Sequence, residues 1–314
     1  MENFSAPFKG RSLLSWKDWS PQEIETLLEL SLHVKTQARN GETYQRFLGK
    51  TIALIFEKRS TRTRCAFETA FAEEGGHPVF LSLQDIQLGG KESVQDTARV
   101  LGRMFDAIEF RGFKQQHVET LASFSGIPVI NGLTDEYHPT QALADIMTLK
   151  EQFGKLKGLH MCFCGDGRNN VARSLMLICA KVGIDFSVYA PRELFPDSTL
   201  QTLCKPFAVA SGAKITVSDE KSVVKNADCL YTDVWVSMGE ESLKAERTKL
   251  LAPYQVNEAL MSATGKSSSI FMHCLPAVKG QEVTETVFES AQSVVFDEAE
   301  NRKHTIKAIL LSVL

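Results

Sequence analysis

Long hydrophobic runs are missing from this chain: no apolar stretch approaches the roughly 18 residues needed to cross a bilayer, so a membrane protein is not expected. Basic charge is not in excess either. The 35 Lys and Arg face 38 Asp and Glu, the net charge is -3, and the basic residues do not gather into runs. Nucleic acid therefore has no electrostatic footprint to bind. The first residues, Met1-Glu-Asn-Phe-Ser-Ala-Pro, lack the apolar core of a signal peptide and the arginines of a transit peptide, which predicts a cytoplasmic location. The seven cysteines are odd in number and scattered, lie mostly in apolar runs (Cys162, Cys164, Cys179, Cys229), and include no Cys-x-x-Cys pair. Reduced thiols and no structural zinc follow. There is no internal repeat and no low-complexity tract.

What is present is an ordinary globular composition, 314 residues with 43% hydrophobic and 23% charged, long enough for two domains of about 150 residues each. Apolar runs alternate with amphipathic segments, the pattern of parallel sheets with helices on their faces. The runs predict strands near 51–56, 78–81, 107–110 and 127–130, with helices near 21–38, 61–74, 92–103 and 115–124. A second series predicts strands near 159–164, 185–189, 214–217, 228–232, 269–272 and 293–295. Between them, residues 139–153 carry Ala142, Ile146, Leu149 and Phe153 at helical spacing, begin with Pro139 and stop before Gly154. The fold class is α/β: two domains, 1–150 and 151–297, each a mostly parallel sheet flanked by helices and joined by this hinge helix. The last segment, 298–314, has a polar cluster and then an apolar stripe, Ile306, Ile309, Leu310 and Val313, that suits packing back on the first domain.

In such sheets, ligands bind beyond the carboxyl ends of the strands. Ser60-Thr61-Arg62-Thr63-Arg64 sits there, between the run Thr51 to Phe56 and a helical segment. Unpaired N–H groups at a helix start attract an anion, and hydroxyls and guanidiniums add charge-assisted bonds. One capping Ser would explain one of these residues; five polar residues in a row exceed a cap. Arg111 after the run Ala107 to Phe110 reads as an anion ligand or a surface salt bridge. His138 and Gln141, in His138-Pro-Thr-Gln141, read as a helix start or as a grip on a carbonyl and an amide. Gly165-Asp-Gly-Arg-Asn-Asn170 lacks the third glycine of a dinucleotide fingerprint. Asp233 and Ser237 could hold an ammonium group, or form a turn beside a buried Trp. Cys274, next to His273 at a strand end, is a nucleophile or a small buried residue.

Together these clusters resemble the aspartate/ornithine carbamoyltransferase family over nearly the whole chain, and within it the ornithine branch. The Ser-Thr-Arg-Thr-Arg and His-Pro-x-Gln motifs are common to both branches. Asp-x-Trp-x-Ser-Met-Gly, here Asp233 to Gly239, and His-Cys-Leu-Pro, here His273 to Pro276, are marks of the ornithine branch; the late cluster Glu300-Asn-Arg302 is intact as well.

The resemblance implies that residues 1–150 bind carbamoyl phosphate and 151–297 bind L-ornithine. It places Ser60, Thr61, Arg62 and Thr63 on the phosphate, joined by Gln87 from the neighbouring subunit of a homotrimer with shared active sites. Arg111, His138 and Thr63 would donate to the carbamoyl oxygen, and Gln141 and the Leu275 carbonyl would accept from its NH₂, with Cys274 and Arg302 alongside. Asn170, Asp233, Ser237 and Met238 would hold ornithine. Arg111, His138, Asp233 and Cys274 are the catalytic set implied, for direct attack of the amine through a tetrahedral intermediate, giving citrulline and phosphate with no metal or cofactor. Domain closure with carbamoyl phosphate bound first is expected. Two rivals stay open: a carbamoyltransferase for putrescine, N-acetylornithine or a related amine, and a non-catalytic relative that only binds an anion or pairs with an active enzyme as a regulatory subunit.

Overall fold

Ser20 caps the first long helix, α1 (Pro21–Arg39), with a reciprocal box. Its hydroxyl accepts from Glu23 N–H, the Glu23 carboxylate accepts from Ser20 N–H at 2.7 Å, and Pro21 takes the first helical position. Such local rules recur along the chain, whose structure, a computed structural model, describes residues 6–84, 86, 92–236 and 241–314. The chain divides into two units, Met1–Leu143 with Glu300–Leu314, and Ala144–Ala299.

The first unit continues with β1 (Thr51–Phe56), α2 (Thr61–Ala72), β2 (His77–Ser82), α3 (Val94–Leu101), β3 (Ala107–Arg111), α4 (Gln115–Ser125) and β4 (Val129–Leu133). Its sheet has the order β2-β1-β3-β4 with every pair parallel. Parallel strands are covered on both faces, which is why β1 reads as an unbroken apolar run after Thr51 rather than an alternating one. Ala53, Ile55, Ile108, Phe110, Val118, Leu121 and Val129 form one buried cluster. Burying each large side chain contributes roughly 1.5–3 kcal/mol. The strand predicted at 127–130 runs over Val129–Leu133.

Helix α5 (Pro139–Phe153) crosses the division between the units. The second unit holds β5 (His160–Cys164), α6 (Asn170–Val182), β6 (Asp185–Tyr189), α7 (Ser198–Ser211), β7 (Ile215–Ser218), β8 (Cys229–Thr232), α8 (Lys244–Leu251), α9 (Glu258–Ala263), β9 (Ile270–His273) and α10 (Glu285–Phe288). Its parallel sheet has the order β7-β6-β5-β8-β9.

The strand expected at 293–295 is not one. Ser293 makes a single parallel bridge to Phe271, and Val295 already begins the last helix, α11 (Val295–Val313). Asp297 lies in its first turn, where negative charge favours the helix dipole. The end of α11 belongs to the first unit. Asn301 accepts from Lys35 at 2.7 Å, Lys307 bonds Glu73 at 2.9 Å, and the carbonyls of Ser312 and Val313 accept from Phe8 and Gly10.

Candidate active site

In the first unit the functional side chains gather where β1 and β3 end. Ser60 is the N-cap of α2 and accepts from Thr63 N–H at 3.2 Å, so the capping role is real. It leaves Thr61, Arg62 and Thr63 in the first turn, at the positive end of the helix dipole. Arg64 is turned away from them: its Nε donates to Glu68 at 2.9 Å and its guanidinium lies 3.7 Å from the centre of the Phe80 ring. A cleft of about 630 Å³ opens beside this turn, with Ser60, Thr61, Arg64, Phe80 and Gln84 in its wall.

Thr63 is the meeting point. Arg111, the last residue of β3, donates to its hydroxyl at 3.2 Å, and Arg302 from α11 donates to the same oxygen at 3.3 Å. Arg302 also donates to Gln141 Oε1 at 2.5 Å and to Thr140 at 3.3 Å. Arg111, His138, Gln141 and Arg302 are all buried. Arg111 is therefore not a surface salt bridge.

His138 precedes α5 at the end of a loop tied down by Thr134, whose N–H donates to the Tyr137 carbonyl at 2.9 Å. Burial first, then the charges of Arg302, Arg111 and Arg62, hold its imidazole well below the usual histidine range. It is a neutral ring with one N–H to donate. Glu109, on β3 below this cluster, was not anticipated. It is fully buried, and among the described residues neither carboxylate oxygen has a partner. Burial pushes its carboxyl well above the usual range, against the pull of Arg111 and Arg302. Gly132 packs against it, and a Cβ there would come within 1.8 Å of a Glu109 oxygen and push the carboxylate from its present position.

In the second unit, β8 and β9 are parallel neighbours with Thr232 opposite His273, so the next residues, Asp233 and Cys274, emerge side by side. The Cys274 thiol donates to Asp233 Oδ1 at 3.1 Å. Asp233 also accepts from Val234 N–H at 2.8 Å and from Asn169 Nδ2 at 3.0 Å. Burial and then the Asp233 charge push the thiol well above its ordinary range. It is a protonated donor, not a thiolate nucleophile. Trp235 is buried against Leu194 and Leu251, so the turn with a buried Trp coexists with the polar site.

Asn170 starts α6, and Asn169, the N-cap of that helix, donates to Asp233. The Gly165–Asn170 loop is held by the protein's own charges, Asp166 pairing with Arg168 and Arg247.

Asp233, His273 and Cys274 could present three atoms to a metal ion, all within 4.8 Å of one another. The His273 ring is committed elsewhere, however, to Leu275 N–H and to Glu282. Gln87, Ser237 and Met238, named from sequence, lie outside the described residues. Among the described residues no helix is long and apolar enough to cross a membrane.

Two family models match: the carbamoyl-P binding domain of aspartate/ornithine carbamoyltransferase over residues 11–151, and its Asp/Orn binding domain over 157–313. Ornithine carbamoyltransferase of Pseudothermotoga lettingae is 63% identical over 306 residues, covering 97% of this chain and 98% of that one. The enzyme of that name from Thermotoga maritima is 60% identical, covering 99% of both. The structure of ornithine carbamoyltransferase from Pyrococcus furiosus superposes with a TM-score of 0.94 at 46% identity, covering 97% of each chain. With both models matched in chain order and relatives aligned end to end, this chain belongs to the aspartate/ornithine carbamoyltransferase family.

Proposed function

We propose that the chain is a carbamoyltransferase acting on L-ornithine: it moves the carbamoyl group of carbamoyl phosphate to the side-chain amine, giving L-citrulline and phosphate. The relatives, at 60% identity and above over their full length, carry that name. The observation in the molecule that carries the reading is the convergence of Arg111 and Arg302 on Thr63 at the start of α2, beside a neutral His138.

The phosphate dianion would rest on Ser60, Thr61, Arg62 and Thr63, with Gln87 supplied by a second subunit of a homotrimer. Arg111, His138 and Thr63 would donate to the carbamoyl oxygen as negative charge grows on it, the electrostatic contribution that is usually largest. Gln141 and the Leu275 carbonyl would accept from the NH₂, with Cys274 and Arg302 beside them. Asp233 would face the α-ammonium of ornithine, with Asn170, Ser237 and Met238 around it.

A side-chain ammonium of the lysine kind has a pKa of about 10.4, so the amine must lose a proton before it attacks. Desolvation in the bound state favours that loss. Cys274, protonated and bonded to Asp233, orients the amine rather than attacking. The leaving phosphate takes up a proton as the tetrahedral intermediate collapses. We place the enzyme in the cytoplasm.

The test is citrulline formation from carbamoyl phosphate with L-ornithine, run beside L-aspartate, putrescine and N-acetyl-L-ornithine. Turnover with ornithine alone is the expected result. Turnover with another amine instead would overturn the assignment of Asp233, and turnover with none would overturn the activity. Native mass spectrometry reporting three chains per particle is the expected check on the trimer.

A further inference from the structure

We infer that Glu282 and His273 form a fixed pair that positions the Cys274–Leu275 segment for the reaction, with Glu282 acting through His273 rather than touching substrate. The inference rests on the proposed placing of Cys274 and Leu275 against the substrates.

His273 is fully buried, and both ring nitrogens and the backbone N–H have partners. Nδ1 accepts from Leu275 N–H at 2.8 Å, so it carries no proton. The bond network thus assigns the ring proton to Nε2, 3.1 Å from Glu282 Oε1. The backbone N–H of His273 donates to Glu298 Oε2 at 3.0 Å. A ring with both nitrogens engaged in this way is not the base of a Cys-His couple, although the two residues are adjacent in sequence.

Glu282, also fully buried, accepts a second bond from Val278 N–H at 2.5 Å, so one carboxylate oxygen ties the end of β9 to the loop after it. The segment needs such a tie. Leu275 has φ +60°, a left-handed conformation that a side chain other than glycine adopts only when its surroundings impose it. The imposed contact is the bond from its N–H to His273, and Glu282 sets the tautomer that leaves Nδ1 free to accept it. Cys274, between the two, is thereby aimed at Asp233. Glu282 is a positioning residue in this arrangement.

Steady-state kinetics of Glu282→Ala and Glu282→Gln test this, together with inhibition by inorganic phosphate, which needs only the first-unit cradle. Glu282→Ala is expected to lower kcat/KM for ornithine about tenfold or more, the scale of one lost buried hydrogen bond with its misplacement, while the phosphate inhibition constant stays within about twofold. Glu282→Gln keeps an acceptor for the Nε2 proton and should recover to within about threefold of the original enzyme. Nitrogen-15 NMR of the histidine rings should find His273 neutral with its proton on Nε2.

Unchanged kinetics in Glu282→Ala, an equal loss of phosphate affinity, or a proton on Nδ1 would each overturn the inference. If Glu282→Ala does not fold, His273→Asn, which keeps an acceptor near the Nδ1 position, should exceed His273→Leu in kcat/KM by about tenfold. Equal values would overturn it. An original enzyme that forms no citrulline would instead overturn the proposed function.

Discussion

Arg302 donates to the hydroxyl of Thr63 across 3.3 Å, although 239 positions separate them in the chain. Arg111 donates to the same oxygen, which occupies both hydroxyl lone pairs and leaves the Thr63 proton as the group still to be used. Thr63 is thus prepared as a donor toward a substrate oxygen. Thr63→Val, nearly the same shape, should lower kcat/KM by about 10- to 100-fold, whereas Thr63→Ser should stay within about tenfold of the original. Equal losses in the two variants would remove the hydroxyl from the argument.

Arg302 serves Gln141, Thr140 and Thr63 with one planar fork. A lysine carries the charge but cannot present that geometry. Arg302→Lys is therefore expected to cost about 100-fold in kcat/KM for carbamoyl phosphate, on the scale of charge-assisted bonds lost in a buried site. Initial rates at varied carbamoyl phosphate would check it; a variant within threefold would show that the charge alone suffices.

Cys274 is bonded to Asp233 and its thiol is held protonated. Cys274→Ala should retain carbamoyl phosphate binding, measured by calorimetry, while the rate with ornithine falls. Iodoacetamide at pH 8 should modify exposed Cys65 before Cys274, read by peptide mass spectrometry. A carbamoylated Cys274 recovered from turnover would contradict the non-covalent route.

Glu109 has a pH consequence. Its carboxyl lies well above the ordinary value of 4.5 in the folded chain, so above that pH the unfolded chain gives up a proton that the folded one keeps. Its contribution is then fully present below the unfolded value and is lost as pH rises toward the folded one. Glu109→Gln, neutral at every pH, should raise Tm at pH 7 to 8 and leave it nearly unchanged below pH 4. A Tm lowered at pH 8 would mean that the carboxylate is needed as a counter-charge to Arg111 and Arg302.

Much of this was legible in the residues alone, because part of it is written locally. Alternating apolar runs and amphipathic spans set the strand and helix periods, and the polar residues after each run marked the strand ends. Ser60 to Thr63 could be read as an anion cradle because one helix turn brings neighbours in sequence together in space. Where local pattern was short it misled: at 293–295 three residues looked like a strand, and the turn of α11 won.

Direction and partnership were decided by tertiary packing. Arg64 belongs to the same polar run as Arg62, yet Phe80 on β2 and Glu68 one helical turn later claim it. Asn169 reaches Asp233 from the start of α6, and the His273 ring faces Glu282 instead of Cys274. The reason is that a polar group removed from water must find its partner wherever the fold places one. The sequence by itself determined which residues carry charge, protons and helix starts; only the packed chain decided which of them share a bond.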